Sequence, residues 1–271
     1  MRRLAICCSL AMLGTAAPAG AQALDDKYWL EVSAYWPDVD TKVSLSSRAN
    51  STIGTEIDLE SDLALKDREA LPAVFAGARI GSGLSIGAEY YALDRTGSKT
   101  LERDITFDDV TYQASATLGS TFDTQIYRLT LGYAFLREEN FELGAAIGLH
   151  ATDITVELSG QGRIGNAATE VYTRGEDVLA PLPTLGLFGT VEIAPKLTLT
   201  GRLDYLSLKI DNYDGRLINA QAALTYRFLR NVGVGVAYRY VDYRLEVERE
   251  RVEGRFEYDF KGPALFLQAG F

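Results

Sequence analysis

The chain has 271 residues with 27 Lys plus Arg against 37 Asp plus Glu, a formal net charge of −10. That balance argues against nucleic acid as a partner, because phosphates select basic surfaces. Its 15 Tyr, 11 Phe and 25 Gly against 7 Pro suit strands, and both cysteines, Cys7 and Cys8, sit near the start, which excludes a disulfide framework for the rest.

Arg2 and Arg3 precede an apolar run from Leu4 to Leu13, and small residues lead to Ala21-Gln22-Ala23. This predicts a signal peptide over residues 1–23 and a mature chain, 24–271, beginning at Leu24. A lipoprotein reading of Cys7 fits poorly, since bulky Ile6 precedes it and the leader before it is too short. Nothing after Ala23 approaches the roughly 18 unbroken apolar residues of a transmembrane helix. An exported chain can still enter a membrane if it closes into a barrel, which satisfies every backbone polar group in lipid.

A period of two runs through the mature chain, the mark of strands whose successive side chains face opposite ways. Leu30, Val32, Ala34 and Trp36 alternate with Glu31, Ser33 and Tyr35. After a polar segment from Ser46 to Glu69, Val74, Ala76, Ala78 and Ile80 oppose Phe75, Gly77 and Arg79. Gly81-Ser82-Gly83 turns the chain into Leu84, Ile86, Ala88 and Tyr90 against Ser85, Gly87, Glu89 and Tyr91. Tyr127, Leu129, Leu131, Tyr133 and Phe135 oppose Arg128, Thr130, Gly132 and Ala134. A short turn at Arg137–Asn140 leads to Phe141, Leu143, Ala145, Ile147 and Leu149 against Glu142, Gly144, Ala146, Gly148 and His150. Leu185, Leu187, Gly189, Val191 and Ile193 alternate with Gly186, Phe188, Thr190 and Glu192, and Ala194-Pro195-Lys196 turns into Leu197–Leu206, with Arg202 and Asp204 on its polar side. The clearest hairpin runs from Ile218 to Tyr240 around Leu229-Arg230-Asn231, placing Gln221, Arg227, Gly233, Gly235 and Arg239 opposite its apolar face.

Short turns thus alternate with long loops at 46–69, 94–124 and 159–183, the asymmetry of outer-membrane barrels, whose periplasmic turns are short and outer loops long. The grouping predicts an all-β, closed antiparallel transmembrane barrel of ten strands, with twelve or eight as alternatives. The count turns on Leu101–Leu118, which reads as a protruding hairpin or two further crossings. Trp29, Trp36, Phe135, Phe141, Tyr226, Phe228 and Phe271 are expected at the periplasmic strand ends, and Tyr90, Tyr205, Tyr238 and Tyr240 at the outer ends.

With its leader, its repeated amphipathic strands over 28–271 and its final Ala264–Phe271, the sequence resembles the bacterial outer-membrane β-barrel proteins of Gram-negative cells. The resemblance implies residence in the cell outer membrane among lipid and lipopolysaccharide. It also implies that the assembly machinery reads Phe271 as a terminal signal. It carries no activity and no oligomeric state.

The inward set at membrane depth is balanced: Glu31, Glu89, Glu142, Glu192 and Asp204 against Arg79, Arg128, Arg202, Arg227 and Arg239. Charges removed from bulk water must be paired, so a cross-lumen network is expected. It serves either a narrow porin-like channel for small solutes or an electrostatic plug in a structural barrel; the inward glycines argue for space near the walls. A second reading is a closed barrel acting in surface interaction or envelope integrity through its long loops. A third is an outer-membrane hydrolase, for which the sole histidine, His150, with Asp153 offers an acid/base pair but no His-x-Ser or Asp-x-His motif. We therefore expect no enzyme, no cofactor and no metal. Glu56, Asp58, Glu60 and Asp62 read as a solvated acidic strand lacking the glycine of an EF-hand loop. Arg244, Arg249, Arg251 and Arg255 read as cross-strand partners of neighbouring glutamates, or as contacts for lipopolysaccharide phosphates.

Overall fold

The computed structural model describes residues 22–48, 53–165, 169–210, 213–248, 250 and 252–271. The expected leader, except for its last two residues, and the side chains of Arg249 and Arg251 lie outside the described residues. A single helical turn, α1 (Gln22–Asp25), precedes β1 (Tyr28–Tyr35) and β2 (Asp38–Ser47). Then come β3 (Ile57–Asp58), helix α2 (Leu59–Leu63), β4 (Leu71–Ile80) and β5 (Leu84–Thr100). A small hairpin, β6 (Ile105–Phe107) and β7 (Val110–Tyr112), leads to β8 (Thr117–Arg137), β9 (Phe141–Arg163) and β10 (Glu170–Ala194). The chain ends with β11 (Leu197–Ile210), β12 (Tyr213–Arg227), β13 (Val232–Glu248) and β14 (Val252–Gly270).

Ten of these strands form a ring in the order β1-β4-β5-β8-β9-β10-β11-β12-β13-β14, and β14 pairs back with β1, Trp29 opposite Gly270 and Tyr35 opposite Ala264. Every pairing in the ring is antiparallel. The ring has no free edge, so backbone polar groups are satisfied without water. Gly81 turns β4 into β5 at φ +65° and Lys196 turns β10 into β11 at φ +68°. Leu101–Leu118 adds no crossing: β6 and β7 form a protruding hairpin whose second strand pairs with the tip of β9 at Arg163 and Gly162.

The strands continue far beyond the membrane. β5 and β8 pair without a break from Leu84↔Tyr133 to Thr100↔Thr117, and β9 and β10 from Phe141↔Val191 to Gly162↔Glu170. The expected loops at 94–124 and 159–183 are therefore mostly strand. β2 continues the course of β1 beyond a break at Trp36-Pro37, where Gly262 of β14 approaches so closely that a Cβ would stand 2.3 Å from the Trp36 carbonyl oxygen. Above that break the ladder opens between β2 and β5, and residues 53–70 fill the gap. Asp58 caps α2 by accepting from the Ser61 amide at 2.8 Å, and the helix ends on Ala64 in the left-handed region, φ +58°.

The outward face divides sharply. From Tyr127 to Phe135 the exposed residues of β8 are Tyr127, Leu129, Leu131, Tyr133 and Phe135. That is roughly 27 Å of strand, or about 20 Å of height at the tilt usual in barrels. Exposed Leu30, Val32, Ile86, Ile147, Leu149, Leu185, Leu187, Leu203, Val236 and Leu267 complete a lipid-facing belt. Above Tyr127 the outward residues of β8 become Gln125, Asp123, Thr121 and Gly119, and those of β9 above Leu149 become Asp153, Thr155 and Glu157.

Two aromatic expectations are corrected. Trp36 stands at the outer end of the belt, not the periplasmic one, because β1 starts at the periplasmic side with Tyr28 and Trp36 donates its amide to the Pro263 carbonyl at 2.9 Å. Trp29 shares the face of Glu31 and points into the lumen over Gly77, where a Cβ would lie 2.3 Å from its indole.

Candidate functional site in the lumen and its cap

The lumen is layered from the periplasmic end outward. At the periplasmic mouth, Leu24 of α1 is buried and its carbonyl accepts from Arg137 Nη2 at 2.6 Å, while Asp26 pairs with Arg227. Arg79 and Glu142 pair at 2.7 Å, with Arg137 3.5 Å from the same carboxylate. Inward aromatics stand above and among these: Phe75 over Gly87, Phe188 against Gly132 and Gly144, and Phe266 over Gly235. A Cβ at Gly144 or Gly235 would come within 2.3 Å of those rings. Gly77, Gly87, Gly132, Gly144 and Gly235 thus make room for rings, and Gly87 and Gly132 also line the cavity that remains in the lumen.

The main ionic layer lies level with the outer tyrosines. Arg128 bridges Glu89 at 2.7 Å and Asp204 at 2.8 Å; Arg202 contacts Asp204 at 2.8 Å and Thr130 at 3.0 Å; Arg239 pairs with Glu89 and donates to Gln221 at 2.9 Å. Asn219 donates to Asp204 at 3.2 Å. Arg128 on β8 reaches Asp204 on β11 past the two strands between them, and Arg239 on β13 reaches Glu89 on β5, so the layer crosses the lumen. Such a layer holds the walls together because Glu89 and Asp204 each take two arginines, and removing one leaves a desolvated carboxylate with half of its partners.

The expected ten ionisable residues therefore divide. Glu89, Arg128, Arg202, Asp204 and Arg239 join in one layer, Arg79 with Glu142 and Arg227 with Asp26 form separate pairs, and Glu31 lines the lumen beside them. Glu192 stands apart: a bulge between Glu192 and Ala194 turns it to the rim, where it accepts from the Lys196 amide at 3.3 Å. Asp26 precedes the first strand and Arg137 is the last residue of β8, positions that the period of two does not mark. A cavity of about 230 Å³ remains between the layers, lined by Glu31, Phe75, Thr130, Arg202, Gln221 and Phe266 among others.

Above the ionic layer the same inward positions turn apolar. Leu118 and Leu158 are 0% exposed and Phe122 is 1%. Aromatic rings meet across the lumen, from β5 and β8 to β14: Tyr35 and Tyr91 meet Phe260 at 6.0 and 6.2 Å, Phe260 meets Tyr258 at 4.9 Å, Tyr258 meets Phe256 at 5.7 Å, and Phe256 meets Tyr243 and Phe122 at 5.8 and 5.9 Å. Arg95, 2% exposed, lays its guanidinium over Phe122 at 4.8 Å, ties the 53–70 segment down through Glu60 and the Lys66 carbonyl, and donates to Thr41 of β2 at 2.6 Å. His150 is 2% exposed beneath this cap, beside Tyr243, and its Nδ1 has no hydrogen-bond partner.

The acidic run does not form an extended strand. Asp58 caps α2, Glu60 accepts from the Thr41 amide at 2.8 Å, and Asp62 pairs with Arg103 at 2.6 Å. No group of three potential ligands able to hold a metal occurs among the described residues. Arg255 pairs with its cross-strand neighbour Glu246 at 2.9 Å, whereas Arg244 reaches Asp242 at 3.6 Å.

The β6–β7 hairpin folds over the mouth. Asp108 takes the tight turn at φ +55°, its amide donating to the Leu45 carbonyl at 3.0 Å, and Arg174 of β10 clamps Asp109 at 2.7 Å. The Arg174 guanidinium holds the Asp109 carboxyl below the usual carboxylate range, while burial pushes Asp108 upward. Burial also pushes the Tyr112 phenol up to about 12, so it stays a donor, to the Leu158 carbonyl at 3.2 Å.

No family model and no curated protein matches this chain. Among solved structures, the outer-membrane protease OmpT of Escherichia coli superposes with a TM-score of 0.59 at 14% identity, covering 91% of this chain and 97% of that one. The toluene transporter TodX of Pseudomonas putida overlaps at a TM-score of 0.37 and 8% identity, over 91% and 90% of the two chains. The transport unit of the autotransporter AIDA-I of Escherichia coli does so at 0.41 and 9%, over 90% of each. With its closed ring, lipid-facing belt and paired lumen charges, the chain has the fold of the bacterial outer-membrane β-barrel proteins, and that belt places it in the cell outer membrane.

Proposed function

We propose that this protein is a closed outer-membrane barrel that works through its outer extension and does not pass solutes through its lumen. The observation that carries this reading is the aromatic layer from Tyr35 to Phe122, set directly on the ionic layer of Glu89, Arg128 and Asp204. Water-excluding packing above and paired charges below leave a solute no continuous polar path. A porin-like passage is the second reading, supported by the cavity of about 230 Å³ at membrane depth.

The chain enters this role as an exported protein with its leader, residues 1–23, removed. The apolar belt suits outer-membrane lipid and lipopolysaccharide. Phe271, 67% exposed at the β1–β14 seam, is available to the assembly machinery. In this reading the outer extension binds, and His150, 2% exposed, lies under the cap.

The test is conductance in a planar bilayer, using protein whose folded state is checked by its heat-resistant band on a gel. The parent is expected to stay silent. Steady conductance from the parent, with ion selectivity moving in opposite directions in Arg202→Ala and Asp204→Ala, would reverse the two readings.

A further inference from the structure

We infer that the outer mouth holds a binding site for a small uncharged apolar molecule. A cavity of about 470 Å³ opens there, between the β9–β10 wall and the β13–β14–β2 wall. Val43, Leu45, Ile154, Val156, Leu245 and Phe256 form its sides, and Phe107 of the β6–β7 hairpin overhangs it. The polar lining residues are Ser44, Glu176, Glu250 and Arg255, and Arg255 is already paired with Glu246.

Three observations point to a small ligand. The volume is within the range of small-molecule sites and several times that of an apolar cavity known to take one benzene ring. The site is concave, walled by strands from both sides of the barrel, which suits a compact molecule better than an extended chain. Among the described lining residues the one cation, Arg255, is already paired with Glu246, so nothing there would hold an anion, and the apolar walls would leave a buried charge uncompensated. A single or double aromatic ring, or a short alkyl chain, fits all three.

The site names the ligand class of the outer extension and so rests on the reading that this extension is the working part. The probe is N-phenyl-1-naphthylamine, an uncharged diarylamine, titrated by fluorescence into the full mature chain in nanodiscs, with empty nanodiscs as the partition background. Two variants fill the cavity from opposite walls. At Gly254 a Cβ would meet only Leu45 Cδ1 at 3.6 Å and Ser44 O at 3.9 Å, so Gly254→Leu adds bulk without backbone strain. Val178→Phe does the same from β10, where Val178 is only half-buried.

Saturable binding at one probe per chain is expected in the parent, with affinity about tenfold weaker or worse in each variant that keeps its heat-resistant band. Absence of a saturable signal above empty nanodiscs overturns the site, as does saturable binding that both filled variants leave unchanged. If one variant fails to fold, the other decides. Conductance is measured separately: a conducting parent that binds the probe overturns the closed-barrel reading alone, and a silent parent that does not bind overturns the site alone.

Discussion

The two halves of each long strand obey one geometry and opposite chemistry. On β8 the inward residues, from the outer end, are Leu118, Ser120, Phe122, Thr124, Ile126, Arg128, Thr130 and Gly132, and the outward ones change over the same length from Thr121, Asp123 and Gln125 to Tyr127, Leu129 and Leu131. No residue is skipped at the changeover, so the strand keeps its phase while inside and outside exchange polarity. The cause is the surrounding solvent. In lipid the outward side chains must be apolar and the lumen takes the polar ones; in water the hydrophobic effect fills the interior instead. The chain is thus a membrane barrel continued upward by a soluble one, sharing strands without a linker.

The largest effect on this contrast should come from breaking the layer that joins the halves. Arg128→Ala removes two buried bonds to carboxylates and leaves Glu89 to Arg239 and Asp204 to Arg202, and a loss of about 3–5 kcal/mol is expected, read as an earlier midpoint in urea unfolding. A midpoint within error of the parent would mean water already solvates the layer.

A smaller and sharper comparison uses two outward positions on β8 on either side of the boundary. Leu131→Arg places a charge in the lipid belt and should cost about 2–4 kcal/mol, whereas Gln125→Arg, above the belt, should stay within about 0.5 kcal/mol. Equal costs at the two sites would move the boundary.

The smallest effect is at the mouth. Because the Asp109 carboxyl is held below its ordinary value by Arg174, the contribution of that clamp is fully present above the usual carboxylate range. It is lost as the pH falls through the folded value. Hydrogen exchange over residues 105–112 should therefore show the same protection from neutral pH down to that range and less below it, once intrinsic rates are corrected. In Arg174→Gln the low protection should already be present at neutral pH.

What was legible follows from the same contrast. At membrane depth every outward residue is apolar, so the period of two was strong and located the ten strands, their faces and the short turns. Above the belt it faded. Inward Leu118, Phe122 and Ile126 alternate with Ser120 and Thr124, which gives an apolar residue only every fourth position and resembles a loop. On β9, Thr152, Ile154, Val156 and Leu158 do face inward against Asp153, Thr155 and Glu157, but the apolar set lies on the face that is polar lower down, and reading one face for one solvent hides it. Among lumen residues, those flanked by apolar neighbours were found. Asp26 and Arg137 were not: Asp26 precedes the first strand and its partner Arg227 lies 201 residues on, while Arg137, the register partner of Glu142, reads as part of the turn between them, and Trp29 was assigned to lipid because the ring-on-glycine contact with Gly77 joins two strands far apart in sequence.

The seam between β1 and β14 sets an order of events for folding. Glu89 and Arg128 face each other on adjacent strands β5 and β8 and can meet as soon as that hairpin forms, but Arg239 reaches Glu89 from β13, 150 residues on. Local pairing is fast and long loops are slow to close. The lumen therefore passes through a stage in which its first ion pair exists without its third member, and ring closure at the seam is the step that completes both the wall and the charge layer.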